Sequence, residues 1–226
     1  VLVDVGVIAA LDRRTGETVW KTRNYGPAYS SPVVFEHGGR KLVAAFPEFG
    51  LVVLDAGSGR EIASHRWKTS YGVNAATPIV HENFIFISSG YNKGCALLRL
   101  DGGTLDVVWQ GRQMRNHMAT CVLIDGYMYG FDESQLECLD FKTGREMWSQ
   151  GGMGKGALMG STDKLVVMSD RGELVIAEAT PKHFKPLARH DALPRGRNVW
   201  VAPVLANGRV YCRDPRGRLA AIVFDR

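Results

Sequence analysis

The chain has little cysteine, and none of it is arranged as a recognisable site. Four cysteines occur among 226 residues, no two of them are adjacent, and there is no CxxC pair. The six histidines show no metal-ligand spacing either. We therefore expect no metal site and no disulfide framework, and we expect each cysteine to be a small core residue. The cysteines are Cys95, Cys121, Cys138 and Cys212.

Long apolar runs and runs of one charge are also missing. No stretch approaches the ~18 apolar residues that a membrane helix needs, and no signal peptide is recognisable at the start of this sequence. The net charge is +5, with lysine and arginine scattered and no run of five or more. This pattern predicts no transmembrane segment and no nucleic-acid partner. With 45% hydrophobic and 23% charged residues, the composition is that of an ordinary globular protein.

In place of long helices, the chain has a repeat that ends on a Leu-Asp pair or a weaker equivalent. The acidic anchors of the units are Asp12, Asp55, Asp101, Asp140, Glu178 and Asp225. Successive anchors are 43, 46, 39, 38 and 47 residues apart. That is the period of a four-stranded propeller blade, roughly 40 to 50 residues.

A turn and a tryptophan follow most anchors. The aspartate can accept hydrogen bonds from the turn backbone, and the glycine supplies a positive φ without steric cost. Trp20, Trp109 and Trp148 lie eight residues after their anchors, and Pro186 takes this position in the fifth unit. We expect the tryptophans to sit between blades or to lock the fourth strand to the preceding turn, with the lowest stability at the fifth unit. The structural set is Asp12, Gly16, Trp20, Asp55, Gly59, Asp101, Trp109, Asp140, Gly144 and Trp148.

Each unit reads as four antiparallel strands, with hairpin signals such as Asp125-Gly126 and Asn207-Gly208. One such sheet cannot bury both of its faces, whereas radial stacking lets every blade cover its neighbour. A β-helix or a sandwich would give another period or none. The sequence therefore predicts an all-β fold, a β-propeller domain or a fragment of one. Its predicted segments are a partial blade at 1–23, whole blades at 28–68, 74–110, 117–150 and 156–190, and a partial last blade at 198–226.

The two ends of the chain are predicted to be incomplete blades. Residues 1–20 read as a third and a fourth strand only, Val5–Leu11 and Glu17–Lys21, and residues 199–226 as the first three strands. If the last blade borrowed its fourth strand from the start of the chain, the strand Val5–Leu11 would be left over. We therefore expect the C-terminal part of a longer ring of seven or eight blades, in preference to a complete small ring.

The units "LDRRTGETVW", "LDFKTGREMW" and "LDAGSGREIA" carry a family likeness. They resemble the tryptophan-docking repeat of pyrroloquinoline-quinone-like β-propellers, which include quinoprotein alcohol dehydrogenases and the propeller lipoprotein of outer-membrane assembly. Stretches such as "MYGFDESQLECLDFKTGREMW" are similar to one branch, the exported repeat proteins of planctomycetes and related bacteria. This resemblance implies a periplasmic or otherwise exported full-length protein. The motif is specific for the fold and far less so for activity.

The chemistry of the quinoprotein enzymes is not expected to carry over. By the resemblance, those enzymes clamp the quinone between a tryptophan and a ring formed by two adjacent cysteines, and they hold calcium beside a catalytic aspartate. This chain has no adjacent cysteines, and its closest acidic cluster is the pair Asp132-Glu133, which reads as a solvated turn. We therefore expect no catalytic residue and no cofactor, with quinone and calcium only under the enzymatic alternative.

Residues just before each innermost strand are expected to line the axial funnel of the propeller. Amide, cationic and aromatic side chains there would suit an anionic or polar ligand; the alternative is a hydrated channel rim. The candidates are Tyr29, Asn74, Arg115, Asn116, His117, Lys155, Arg197 and Trp200. Two further segments are read as surface connections, the glycine-rich Gly151–Gly156 and a long loop at Gly90–Gly94.

The leading functional hypothesis is a non-enzymatic exported scaffold that presents its funnel and loops to a protein or polysaccharide partner. We expect this scaffold to be monomeric. The alternative is a quinone- and calcium-dependent oxidoreductase subunit.

Overall fold

The structure, a computed structural model that describes residues 1–224, is an all-β arrangement of 22 strands in six antiparallel sheets. It divides into two compact units, Val1–Arg112 and a second that begins at Gln113. Three sheets belong to each unit. That all the blades form one domain stays a prediction.

The first unit contains sheets of three, four and four strands. The first sheet is β1 (Leu2–Asp4), β2 (Val7–Leu11) and β3 (Thr18–Asn24). The second is β4 (Val33–His37), β5 (Arg40–Ala45), β6 (Gly50–Asp55) and β7 (Glu61–Arg66). The third is β8 (Ile79–His81), β9 (Phe84–Ser89), β10 (Gly94–Asp101) and β11 (Thr104–Gly111).

The second unit contains sheets of four, four and three strands. The fourth sheet is β12 (Val122–Ile124), β13 (Tyr127–Asp132), β14 (Gln135–Asp140) and β15 (Glu146–Gln150). The fifth is β16 (Ala157–Gly160), β17 (Lys164–Met168), β18 (Glu173–Glu178) and β19 (Lys185–Asp191). The sixth is β20 (Val204–Ala206), β21 (Arg209–Arg213) and β22 (Leu219–Val223).

In every sheet the strands pair in the order of the chain, as a propeller blade requires. The predicted hairpins are present: Asp125 and Gly126 have φ of 49° and 80°, and Asn207 and Gly208 have 50° and 72°. Two consecutive positive φ values are those of a type I′ turn, whose twist matches that of the flanking strands. The β-propeller fold predicted from the repeat is confirmed.

The N-terminal sheet differs from its prediction. It has three strands, because residues Leu2–Asp4, where no strand was predicted, form β1, and β2 begins at Val7 and not at Val5, after a turn at Gly6 with φ of 94°. The N–H of Gly6 donates to Asp4 Oδ1 (3.0 Å), and the residues before this turn form β1 against β2. The alternation of apolar residues continues across the turn, which is why the pattern did not reveal it. The last anchor, Asp225, lies outside the described residues.

Apolar side chains of facing sheets form the core within each unit. In the first unit, Ile8 and Val43 belong to a cluster shared by the first and second sheets, and Phe46 and Ile87 to one shared by the second and third. In the second unit, the fifth sheet shares one cluster with the fourth sheet and another with the sixth. Within each unit, adjacent sheets therefore bury facing surfaces against each other, which is the stacking that the repeat predicts.

The turn after an anchor has the same geometry in three of the sheets. Gly16, Gly59 and Gly144 each have φ between 71° and 74° and donate their N–H to the anchor carbonyl at 2.9 Å. The anchor carboxylates of Asp12 and Asp140 also accept a backbone N–H from the threonine three residues on, at 2.9 and 2.8 Å. Asp55 accepts from Ser58 in the same way (3.0 Å).

Two tryptophans dock on the turn of the following sheet. Trp20 Nε1 donates to the carbonyl of Ala56 (3.0 Å), and Trp148 Nε1 donates to that of Thr180 (2.8 Å). Each indole therefore ties the last strand of its sheet to the next blade. Trp109 contacts Phe86 of its own sheet, with ring centroids 5.8 Å apart. The turn at Asp101 is shorter than the others, because β11 begins at Thr104.

Candidate functional site

The funnel candidates lie at one end of the sheets. Consecutive strands of a sheet run in opposite directions, so in every sheet except the three-stranded first one the connection between the second and third strands lies at the same end as the connections to neighbouring sheets. We call this the loop end of a unit; the anchor turns are at the opposite end. In the first unit, Tyr29 and Asn74 are in loop-end connections.

Asn74 is completely buried and has a structural role in the first unit. Its Nδ2 donates to the carbonyl of Pro47 (2.8 Å), and its Oδ1 accepts from the hydroxyl of Ser89 (2.8 Å). That hydroxyl also accepts from Trp67 Nε1 (3.1 Å). The carbonyl of Asn74 accepts the N–H of Tyr29 (3.1 Å). Asn74 thus holds the loop, while the Tyr29 side chain is 76% exposed.

A second exposed tyrosine lies near Asn74 in sequence. Tyr71 is 74% exposed, and its ring meets that of Tyr91 edge to face, with centroids 5.0 Å apart. Tyr91 and Asn92 have φ of 55° and 59°, and Lys93 N–H donates to the carbonyl of Gly90 (3.1 Å). The segment predicted as a long loop is therefore a tight turn, because two residues other than glycine adopt left-handed conformations there.

In the second unit, Asn116 takes the place that Asn74 has in the first. It is buried, and its Nδ2 donates to the carbonyl of Phe131 (3.0 Å). Its neighbour Arg115 binds the Asp132 carboxylate through its backbone N–H (2.7 Å), Nε (2.6 Å) and Nη2 (2.5 Å). This pairing raises the pKa of the Arg115 guanidinium further. Both side chains fasten the loop to the end of β13.

Glu137, which sequence reasoning missed, lies next to this pair. It is in the middle of β14, only 4% exposed, and its Oε2 accepts the N–H of Met114 (3.1 Å). Burial, together with the nearby Asp132 carboxylate, raises the pKa of Glu137 to about 7. The signal was available: a lone glutamate in the apolar run Leu136–Leu139 of a third strand.

His117, Lys155 and Trp200 are brought together around one small recess. The rings of His117 and Trp200 meet edge to face, with centroids 6.1 Å apart, and Lys155 Nζ pairs with Glu133 (2.8 Å). Burial, and then the charge of Lys155, lowers the pKa of His117. The recess has a volume of about 10 Å³, enough for about one water molecule. These residues therefore form a packed corner and leave no room for a larger ligand.

Arg197 belongs to a different recess of the same unit. This recess is open, has a volume of about 530 Å³, and is lined by Asp170, Arg171, Gly196, Arg197 and Asn198. The glycine-rich loop contacts one of the residues that line this recess, because the Asp170 carboxylate occupies the space that a side chain at Gly154 would need. No helix follows that loop; β16 does.

The family of the chain is decided by sequence. The family model described as outer membrane protein assembly factor BamB matches residues 4–127, more than half of the chain. The chain belongs to this family. The predicted membership in the pyrroloquinoline-quinone-like β-propellers is thereby confirmed, whereas the narrower planctomycete branch stays a prediction. No curated protein sequence matches the chain.

Solved structures agree with the BamB fold. BamB from Moraxella catarrhalis superposes with a TM-score of 0.71 at 16% identity, covering 97% of this chain and 67% of that one. The computationally designed protein Ika8 superposes with the same TM-score at 15% identity, covering 99% of this chain and 67% of its own. At these identities the likeness shows the fold.

The described residues of this BamB-like chain do not show the features that a quinone and calcium site would need. Cys121 and Cys138 are both buried, and they are not adjacent in the sequence. Burial raises the pKa of each thiol to about 12. Among residues 1–224 there is no group of three or more His, Cys, Asp or Glu side chains that could hold a metal ion. In the acidic pair, Asp132 is bound by Arg115 and Glu133 by Lys155.

The described residues also contain no helix with the length and apolar character to cross a membrane.

Proposed function

We propose that this chain is part of a non-enzymatic, exported β-propeller that binds proteins as an assembly scaffold. The observation that carries the proposal is the family match, because the family is described as an outer membrane protein assembly factor. A periplasmic location is part of the same proposal, and so are a monomeric state and the absence of a resident cofactor.

The chemistry of the loop ends supports binding over catalysis. The buried amides Asn74 and Asn116 hydrogen-bond to backbone carbonyls, so their side chains are used in holding loops. What the loop ends expose are tyrosine and arginine side chains, such as Tyr29, Tyr71 and Arg197. Tyrosine and arginine are enriched among the residues that dominate the energy of protein interfaces. We therefore favour a protein partner over a polysaccharide.

Isolation of the native protein from its own cells under mild reversible crosslinking tests this function. The proposal expects one or a few proteins to be recovered in near-stoichiometric amounts, and recovery to fall when Tyr29 and Tyr71 are both replaced by serine. A double variant at the exposed valines Val19 and Val108, which lie on strands, is the matched control. Recovery of polysaccharide without protein would contradict the proposal.

The enzymatic alternative is tested by titration of the purified protein with quinone and calcium. The proposal expects the absorbance of the quinone to remain that of the free compound. A tight stoichiometric complex would contradict the scaffold function and would favour an oxidoreductase.

A further inference from the structure

Exposed arginines are concentrated at the loop end of the second unit. We call four of them the arginine surface: Arg171, Arg195, Arg197 and Arg216, all exposed. Other arginines of this unit form ion pairs, for example Arg189 with Glu173 (3.0 Å). Within the part of the chain that the structure describes, no carboxylate lies within ion-pairing distance of the four. No carboxylate of the described residues therefore neutralises their charge.

The loops that carry the arginine surface are joined by hydrogen bonds. The N–H of Val199 donates to the carbonyl of Asp170 (3.1 Å), and the N–H of Leu193 donates to that of Gly172 (3.0 Å). Nη1 of Arg218 donates to the carbonyl of Pro194 (2.6 Å), which ties in the loop of Arg216. A ligand would meet loops already held in place, and preorganisation of this kind lowers the entropic cost of binding.

The backbone on both sides of Arg197 is strained. Arg195 and Asn198 have φ of 58° and 54°, a left-handed conformation that costs an L-residue other than glycine roughly 1 kcal/mol. Gly196 lies between them, and a Cβ there would be 2.6 Å from the carbonyl oxygen of Arg171. The close approach of the two loops thus sets Arg171 and Arg197 around one recess. Strain of this kind persists where the surrounding structure enforces it, often at ligand sites.

The lining of the 530 Å³ recess indicates what it can hold. Two guanidinium groups favour carboxylate or phosphate groups, which they can bind in bidentate fashion. Asp170 and Asn198 also line the recess. An acceptor-only carboxylate disfavours a phosphate dianion, whereas it can accept an N–H from a peptide backbone. A mixed lining of this kind fits a peptide that carries carboxylate side chains.

We propose that the arginine surface binds an acidic segment of a protein partner, with Arg171 and Arg197 as the central contacts. This inference deepens the protein-binding function proposed above and rests on it. It names the surface of the second unit that makes the contact and the charge of the partner segment.

The test uses the whole protein and a fluorescein-labelled peptide of alternating glutamate and glycine, followed by fluorescence anisotropy. A peptide with glutamine for glutamate is the ligand control. We expect the glutamate peptide to bind and the glutamine peptide not to bind. We expect R171Q/R197Q to weaken binding about tenfold, which corresponds to a loss of about 1.4 kcal/mol of binding free energy. R171K/R197K keeps the charge but loses the planar fork, so its loss is intermediate.

The matched control is R13Q/R14Q, which removes the same charge from exposed arginines in an anchor turn of the first unit. It should change the affinity less than about twofold. Equal weakening by the two glutamine pairs, or no binding of the glutamate peptide, would overturn the proposal. Binding of phosphatidylglycerol vesicles through Arg171 and Arg197 without peptide binding would overturn it too. If isolation from cells recovers a partner while the peptide fails, only this inference fails; if the peptide binds while no partner is recovered, the scaffold function fails.

Discussion

The indole of Trp20 occupies the space that a side chain at Gly59 would need. A Cβ at Gly59 would lie 2.4 Å from Cε3 of the indole, and the same indole donates a hydrogen bond to Ala56 in the same turn. The glycine of one blade is therefore required by two features at once, its positive φ and the tryptophan of the preceding blade.

Replacement of Gly59 by alanine should destabilise the protein more than replacement of Gly16. The two glycines have φ of 71° and 74°, but a Cβ at Gly16 would meet nothing within 4 Å. Both variants bear the left-handed backbone cost of about 1 kcal/mol, and only Gly59→Ala must also displace an indole, for about 1–3 kcal/mol more. Urea unfolding measures the difference. Equal losses would show that Trp20 does not need the space over Gly59.

Replacement of Trp148 by phenylalanine isolates the hydrogen bond to Thr180. The phenyl ring can still pack against Tyr129 and Phe184, whose rings now lie 6.0 and 5.8 Å from the indole. We expect a loss of about 1 kcal/mol plus the smaller ring area for Trp148→Phe, and about 3–5 kcal/mol for Trp148→Ala. Thermal unfolding of both variants checks this. A phenylalanine variant as unstable as the alanine variant would mean that the hydrogen bond dominates.

Replacement of Glu137 by glutamine should stabilise the protein at neutral and alkaline pH. Because burial raises the pKa of Glu137 to about 7, the folded state binds this proton more tightly than the unfolded state does. The resulting stability is complete below the ordinary pKa of 4.5 and is lost as the pH rises to about 7. Glutamine keeps an acceptor for Met114 without the charge. The gain of the variant over the wild type should therefore increase between pH 4.5 and 7, to a few kcal/mol.

Urea unfolding across that pH range measures the gain, and Glu36→Gln, at an exposed position of β4 in the first unit, is the control. A gain that does not change with pH would contradict the assignment of a buried carboxyl at Glu137. Arg115 favours the charged form of this group and Asp132 opposes it.

The amides of β19 should exchange with solvent faster than those of β15. All seven residues of β19 are exposed, and Pro186, where other units have tryptophan, has no N–H to give to the sheet. In β15, Trp148 docks on the next turn. Hydrogen exchange resolved by mass spectrometry should show rates about tenfold higher or more in β19. Equal protection of both strands would contradict the expectation that the fifth repeat of the sequence, which forms the fifth sheet, is the least stable.

Much of the fold could be predicted because its signals are local. Asp140, Gly144 and Trp148 lie within one short stretch, and turn chemistry and period together identify a blade. The break at Gly6 was missed because an apolar pattern continues through it. The tight turn at Tyr91 was missed because a left-handed tyrosine is not expected from sequence.

The site was harder to predict because its side chains are sorted by contacts that are distant in sequence. Asn116 and Arg197 are both polar residues before an innermost strand, and the sequence treats them alike. Only the approach of Asn116 to Phe131, and of Gly196 to Arg171, separates a buried structural amide from an exposed cation. Glu137 shows the converse, since a charged residue in a strand is buried by a loop that precedes it in the chain.

Site-specific photo-crosslinking tests the central claim most directly. A photoreactive phenylalanine analogue placed at Tyr29 or Tyr71 of the loop end, and at Arg13 of an anchor turn as the control, would be activated in cells that make the native protein. Protein binding at the loop end predicts discrete protein adducts from Tyr29 and Tyr71 and none from Arg13. Adducts from Arg13 alone, or no protein adduct from any of the three positions, would contradict it.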